Sequence, residues 1–175
     1  MANLTIQLVR SEAQADEVRT MAWEFIDWLR QRYPELDGAI DAYLVKQDFR
    51  GMLDRLLMDF APPGGECLLA ILDGQPVGIL MLKPHSHGVC EMNRMYVRPE
   101  ARGHGAGRAL CIRLIERGRE LGYETMILSA LDRHDEAIGL YKSLGFEQVD
   151  RPAETSGAQG REVPMRLNLQ GQSGG

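Results

Sequence analysis

Apolar residues along this chain recur at two spacings, and the switches between them predict a mixed order of strands and helices. Residues 4–9 alternate weakly and predict a first strand. Ser11-x-x-Gln14 then has the form of a capping box, so a helix should start there. Val18, Met21, Ala22, Phe25, Trp28 and Leu29 follow at intervals of three and four, an apolar stripe that Tyr33-Pro34 closes. A second helical region is expected over residues 40–60, with Gly51 as its candidate break and Pro62-Pro63-Gly64-Gly65 as its end.

The pattern then changes period. Residues 67–72 and 76–82 are short apolar runs around Asp73-Gly74-Gln75, which suits an antiparallel hairpin. Residues 90–97 read as another strand, and residues 83–89 as the loop before it. Leu110, Leu114, Ile115 and Leu121 mark one face of a helix over residues 105–121, stopped by Gly122. A strand at 125–131 and a short helix at 135–144 ended by Gly145 come next. Residues 146–149 and 163–169 read as a closing strand pair around a polar loop at 152–161. This order predicts an α/β (α+β) domain, with a twisted, mostly antiparallel mixed sheet flanked by helices on both sides.

Length and charge narrow the picture. The 175 residues suit one domain, expected over 1–170, with a small polar tail at 171–175. Hydrophobic residues make up 44% and charged ones 26%, which fits a globular chain and argues against disorder or a fibrous repeat. A net charge of −5 offers no overall basic field, so nucleic acid is not an expected partner. The uncharged apolar runs are far shorter than the roughly 18 residues of a membrane helix. No membrane partner is expected, and the first residues lack a secretory pattern, so the cytoplasm is the expected location. Cys67, Cys90 and Cys111 form no C-x-x-C pair and read as reduced, mostly buried thiols. A homodimer is left open.

Residues 97–107 join a strand to a helix and carry Gly103, Gly105 and Gly107. Unpaired amides and the dipole at a helix start favour phosphate oxygens, and glycine lets the backbone come close. Neither the P-loop nor the Rossmann fingerprint fits, and an ordinary turn is the alternative. Arg102-x-x-Gly105-x-Gly107, just after Met95-Tyr96-Val97, resembles the Q/R-x-x-G-x-G/A motif of the GNAT N-acetyltransferase superfamily. Ala137-x-x-Leu140-Tyr141-x-x-x-Gly145-Phe146 is similar to that family's late helix and following strand. The resemblance implies acetyl-CoA as cosubstrate. Its pyrophosphate would fall to Arg102, Gly103, His104, Gly105, Ala106, Gly107 and Arg108, and its pantetheine arm to Met95, Tyr96 and Val97. His134 stands where many members carry Asn.

Acetyl transfer to an amine needs a proton acceptor for the nucleophile and benefits from a donor to the leaving thiolate. By the two-residue period Glu91, Asn93 and Met95 should share one strand face. Glu91 matches the place where some members carry a catalytic glutamate; a solvent-facing charge, or water as the relay, is the alternative. Tyr141 is the candidate acid, in a helix whose matching tyrosine approaches the sulfur of coenzyme A, against a core or merely cofactor-binding tyrosine. His85, His87 and Cys90 lack a fourth ligand at a recognisable spacing, so no metal is expected. Phe25 and Trp28 fit the buried stripe, and Trp23 reads as packing with an acceptor site as the alternative.

The expected function is acetyl-CoA-dependent N-acetylation of a small-molecule or peptide amine by direct attack, without a covalent enzyme intermediate. An acyl-CoA-binding sensor and a pure interaction domain are the rivals. The acidic balance mildly favours a cationic acceptor; no motif names the amine.

Overall fold

The computed structural model describes residues 2–150 and 162–170; the loop expected at 152–161 and the tail at 171–175 fall outside them. Strand β1 (Leu4–Leu8) leads into α1 (Glu12–Arg32) through Ser11. The capping box is present, with the Gln14 amide donating to the Ser11 hydroxyl and the Gln14 carboxamide oxygen accepting from the Ser11 amide. Three shorter helices follow: α2 (Asp37–Lys46), α3 (Phe49–Asp54) and α4 (Leu56–Asp59). The expected break at Gly51 lies instead at Gln47-Asp48, where Asp48 is left-handed at φ 45. Gly51 sits inside α3, and a Cβ there would fall 2.2 Å from an Asp48 carboxylate oxygen. Glycine leaves room for that side chain rather than ending the helix.

Strands β2 (Glu66–Leu72) and β3 (Gln75–Ser86) form the expected hairpin. Asp73 and Gly74 both have positive φ, so the turn takes two residues, the arrangement that matches strand twist. β3 runs on through most of the expected 83–89 loop, and Lys83, Pro84 and Ser86 pair with β4 (Val89–Val97). α5 (Ala106–Glu120), β5 (Thr125–Leu131) and α6 (Asp135–Ser143) come next, then β6 (Glu147–Gln148) and β7 (Glu162–Asn168).

The sheet has the order β1-β2-β3-β4-β5-β7-β6 among the described residues. Neighbours are antiparallel except β4 and β5, which are parallel. One face buries Leu80, Leu82, Met92 and Leu128 against α5 and α6, and the other buries Leu69, Ile79 and Met81 against α1 to α4. The helices therefore flank the sheet on both sides, as the pattern predicts. Across β1, β2 and α5 the buried Glu66 ties elements together. It accepts from Arg10 at 2.7 and 3.0 Å, from Arg117 at 2.8 Å and from the Cys67 amide at 3.0 Å. Burial pushes the Glu66 carboxyl up, but Arg10, the Cys67 amide and Arg117 outweigh it and hold it below the usual range.

Candidate active site

β4 and β5 pair only at Val89↔Thr125, Cys90↔Met126 and Glu91↔Ile127. Past Glu91 they separate. Their facing edges, residues 92–97 and 128–131, line a cleft of about 660 Å3 whose far wall comes from α1, α2 and α6. An open strand edge carries unpaired amides and carbonyls, so this gap can accept an extended ligand as a further strand would be accepted.

At one end of the cleft lies the glycine turn. Gly103 and Gly105 have φ of 90 and 80, and Gly105 is the residue just before α5. L-residues with a Cβ rarely take such values, and beside either glycine the space a Cβ would occupy is open. Amides at the first turn of α5 therefore face a space a ligand can enter. Arg98 steadies the approach: its Nε and Nη2 donate to Glu24 of α1 at 2.9 and 2.8 Å, and its amide to Val77 O at 2.8 Å. Arg102, Gly103, Gly105, Ala106, Gly107 and Arg108 all line the cleft, whereas His104 is exposed outside its lining.

β4 is not a regular strand. Asn93 lies opposite Met81 and Tyr96 opposite Ile79, so two residues, Arg94 and Met95, face the single Leu80. This is a β-bulge, and Arg94 within it has φ 58. The expected common face of Glu91, Asn93 and Met95 is broken by it. Met95 turns to the α5 side, where the Cys111 thiol donates to its sulfur at 3.4 Å. Arg94 turns to the opposite side, over the rings of Tyr43 and Phe49 at 5.8 and 5.5 Å. Met95, Tyr96 and Val97 still line the cleft edge.

Glu91 lies beneath this edge and not in the lining. It is 2% exposed, paired with Lys83 Nζ at 3.4 Å, and accepts from Asn93 Nδ2 at 3.4 Å, so the solvent-facing alternative does not hold. Asn93, which donates to it, does line the cleft. Tyr141 lines the cleft from α6, edge-on to Phe146 at 5.9 Å, and burial pushes its hydroxyl well above the usual range, so it stays protonated.

At the mouth, His134 stacks on Trp28 at 5.0 Å and meets Tyr33 edge-on, while the Arg102 guanidinium lies 4.9 Å from the Trp28 ring. Burial, then the nearby Arg32 charge, pushes the His134 imidazole down, so it is neutral at pH 7. Arg133 pairs with Glu35 beside this cluster. Trp28 thus packs and also borders the cleft, whereas Trp23 sits apart, edge-on to Phe49 at 4.9 Å. His85 and His87 lie away from the lining, and no metal-binding cluster exists among the described residues. All three thiols are buried and free, and burial pushes Cys90 and Cys111 up to about 12, which leaves no thiolate nucleophile.

The sequence reading missed Glu162 and Tyr43 and did not single out Arg94; all three line the cleft. Burial pushes the Glu162 carboxyl up, opposed by a hydrogen bond from the Ser129 hydroxyl at 3.0 Å. Arg94 had one visible signal, a charge between the apolar residues of a central strand. Glu162 had none, since it follows directly on a polar loop.

Residues 22–146 match the acetyltransferase (GNAT) family. The chain belongs to that family. An uncharacterized N-acetyltransferase of Schizosaccharomyces pombe is 30% identical over 151 residues, 85% of this chain and 86% of that protein. YjgM of Escherichia coli, also an uncharacterized N-acetyltransferase, is 33% identical over 67% of this chain and 72% of its own length. Rat N-acetylaspartate synthetase is 33% identical over 69% of this chain but only 41% of that enzyme. Among solved structures, a Staphylococcus aureus GNAT acetyltransferase gives a TM-score of 0.72 at 19% identity, covering 96% of this chain and 100% of that one. The PaiA N-acetyltransferase of Thermoplasma acidophilum, solved with coenzyme A, gives 0.68 at 17%, covering 94% and 99%. These likenesses show that the chain shares its fold with solved GNAT acetyltransferases.

Proposed function

We propose that this GNAT domain uses acetyl-CoA to acetylate a primary amine of a small-molecule or peptide acceptor by direct attack. The observation that carries this reading is the separation of β4 from β5 where their open edges meet the glycine turn at the start of α5. The cleft fits such a ligand. Its volume of about 660 Å3 suits an organic cosubstrate, and the turn carries two positive-φ glycines beside open space.

Amides of residues 103–108 bind the pyrophosphate at the positive end of α5, and Arg102 and Arg108 add charge there. The free edge at Met95, Tyr96 and Val97 pairs with the amide-bearing arm and polarises the carbonyl at its end. Acetyl-CoA supplies the acetyl thioester, whose C–S bond breaks as the C–N bond forms. Glu91 takes the proton lost by the attacking nitrogen, through a water or along the Asn93 side of the cleft. Tyr141 donates its hydroxyl proton toward the departing sulfur. The three thiols are buried and burial disfavours their thiolates, which supports one direct displacement over a cysteine acyl-enzyme.

A thiol-release assay with acetyl-CoA and a panel of amines, amino acids and peptides tests the reading, with mass spectrometry of the product. Amine-dependent release with a product 42 Da heavier, as expected of any added acetyl group, supports it. Binding of acetyl-CoA without turnover of any amine overturns it in favour of a sensor. The likeness to N-acetylaspartate synthetase covers less than half of that enzyme, so the acceptor is argued from the cleft itself.

A further inference from the structure

Arg94 is 7% exposed, yet its Nε and Nη1 have no hydrogen-bond partner. Its neighbours are the Phe49 ring and Tyr43, whose hydroxyl is its polar contact. Across the cleft, Glu162 sits opposite Leu131 at the start of β7, and its Oε1 is likewise buried without a partner. Both residues line the cleft, and these open atoms do not bond each other. A buried arginine and a partly buried glutamate, each with a buried atom that has no partner, therefore face one space with unused hydrogen-bonding capacity.

Such an arrangement is costly, because a charge taken from water must be repaid by partners. Elsewhere this chain does repay it. Glu66, on the same sheet and 0% exposed, has both carboxylate oxygens bonded by Arg10 and Arg117. Arg94 is left open, and it is aimed by a bulge that holds a non-glycine residue at φ 58. Strain and an unpaired charge together, in a cleft, are the signature of a ligand contact.

We propose that the acceptor is a small zwitterion of the amino acid class, its carboxylate held by Arg94 and its ammonium group docked beside Glu162. Guanidinium matches a carboxylate in both charge and planar hydrogen-bonding geometry. A single carboxylate balances the single Arg94 charge, whereas a phosphomonoester of about −2 charge would meet Glu91 and Glu162 with excess negative charge. Polyamines would set a cation against Arg94. An internal peptide lysine brings no free carboxylate with its amine. Arg94 lies one residue before the edge assigned to the cosubstrate arm, so an amino acid whose carboxylate is held there carries its α-amine near the transferable acyl group. The whole-chain charge, which favours a cationic acceptor, is not the charge of this pocket.

The proposal rests on the acetyl-transfer reading above and is tested with matched probes. Each standard amino acid is assayed beside its methyl ester and its decarboxylated amine, in thiol release and in calorimetric titration of the coenzyme A complex. At least one free amino acid is expected to exceed its ester and amine by about 10²-fold or more in kcat/KM, since a site built to bond a polar group rejects analogues lacking it. Arg94→Met should collapse that ratio to within about tenfold while acetyl-CoA still raises the melting temperature. Arg94→Lys, which keeps the charge, covers the case in which the Met variant fails to fold, and should retain part of the ratio. Equal use of esters or decarboxylated amines, turnover confined to peptides or polyamines, or an unchanged ratio in either variant overturns the proposal. No thiol release with any probe, while acetyl-CoA binds, instead removes the transferase reading and this proposal with it.

Discussion

One wall of the cleft joins the open edge of β4 to the glycine turn at residues 102–108, where backbone amides can serve a ligand. The other side is built from side chains: Tyr43 of α2 and Glu162 of β7, with Arg94 turned off the β4 edge by the bulge to lie over Tyr43. The first can hold a ligand whose recognition is the same in every family member, because amides and a helix dipole are independent of side-chain identity. The second can change its charge and shape by single substitutions without disturbing the first. On the proposed reading the cosubstrate is thereby separated from the acceptor within one cavity, and substitutions on the two walls should fail in different ways.

The largest expected effect is on the backbone wall. Gly105→Val forces a β-branched residue into φ 80 and fills the open space at the start of α5. Losing two charge-assisted hydrogen bonds of about 1.5–3 kcal/mol each should weaken acetyl-CoA by about 10³-fold and abolish its thermal shift. A wild-type shift in that variant would move the cosubstrate site elsewhere. Glu91→Gln should lower kcat by about 10² with acetyl-CoA affinity unchanged; normal turnover with the same pH profile would leave the proton to water. Tyr141→Phe should lower kcat by about tenfold, or about 1.4 kcal/mol, and leave affinity and melting temperature near wild type. Large affinity loss with normal saturated turnover would make it a binding residue only.

The smallest effect expected is at the mouth. Burial lowers the His134 pKa below its unfolded value, so the unfolded chain binds the extra proton first. Its contribution is fully present above the unfolded value of about 6.5 and is lost as pH falls through the folded value. His134→Phe keeps a ring on Trp28 and should flatten the decline in melting temperature between pH 7.5 and 5.5. An equal decline in both proteins would place the acid sensitivity in other groups.

The same division explains what the sequence made legible. Capping at Ser11, the Asp73-Gly74 turn and the stop at Gly122 are local rules, and each appears where local chemistry puts it. The glycine turn and Tyr141 were legible by resemblance and do line the cleft. The bulge at Arg94 was not, because it is set by the β3 register across the sheet and reverses the faces that a two-residue period assigns to Met95 and Arg94. Glu162 joins Arg94 only through the β5–β7 pairing, a contact between segments distant in sequence. The extension of β3 past Lys83 likewise depends on pairing with β4 rather than on its own mixed composition.

Hydrogen exchange read by mass spectrometry, with and without acetyl-CoA, tests the division of the cleft most directly. Acetyl-CoA alone should slow exchange at amides in residues 92–97 and 103–108 and leave α2 unchanged, with protection of α2 added only when an accepted amine is present with coenzyme A. Protection that misses the glycine turn, or that covers α2 as strongly with acetyl-CoA alone, would contradict a cosubstrate held by the β4 edge and the start of α5.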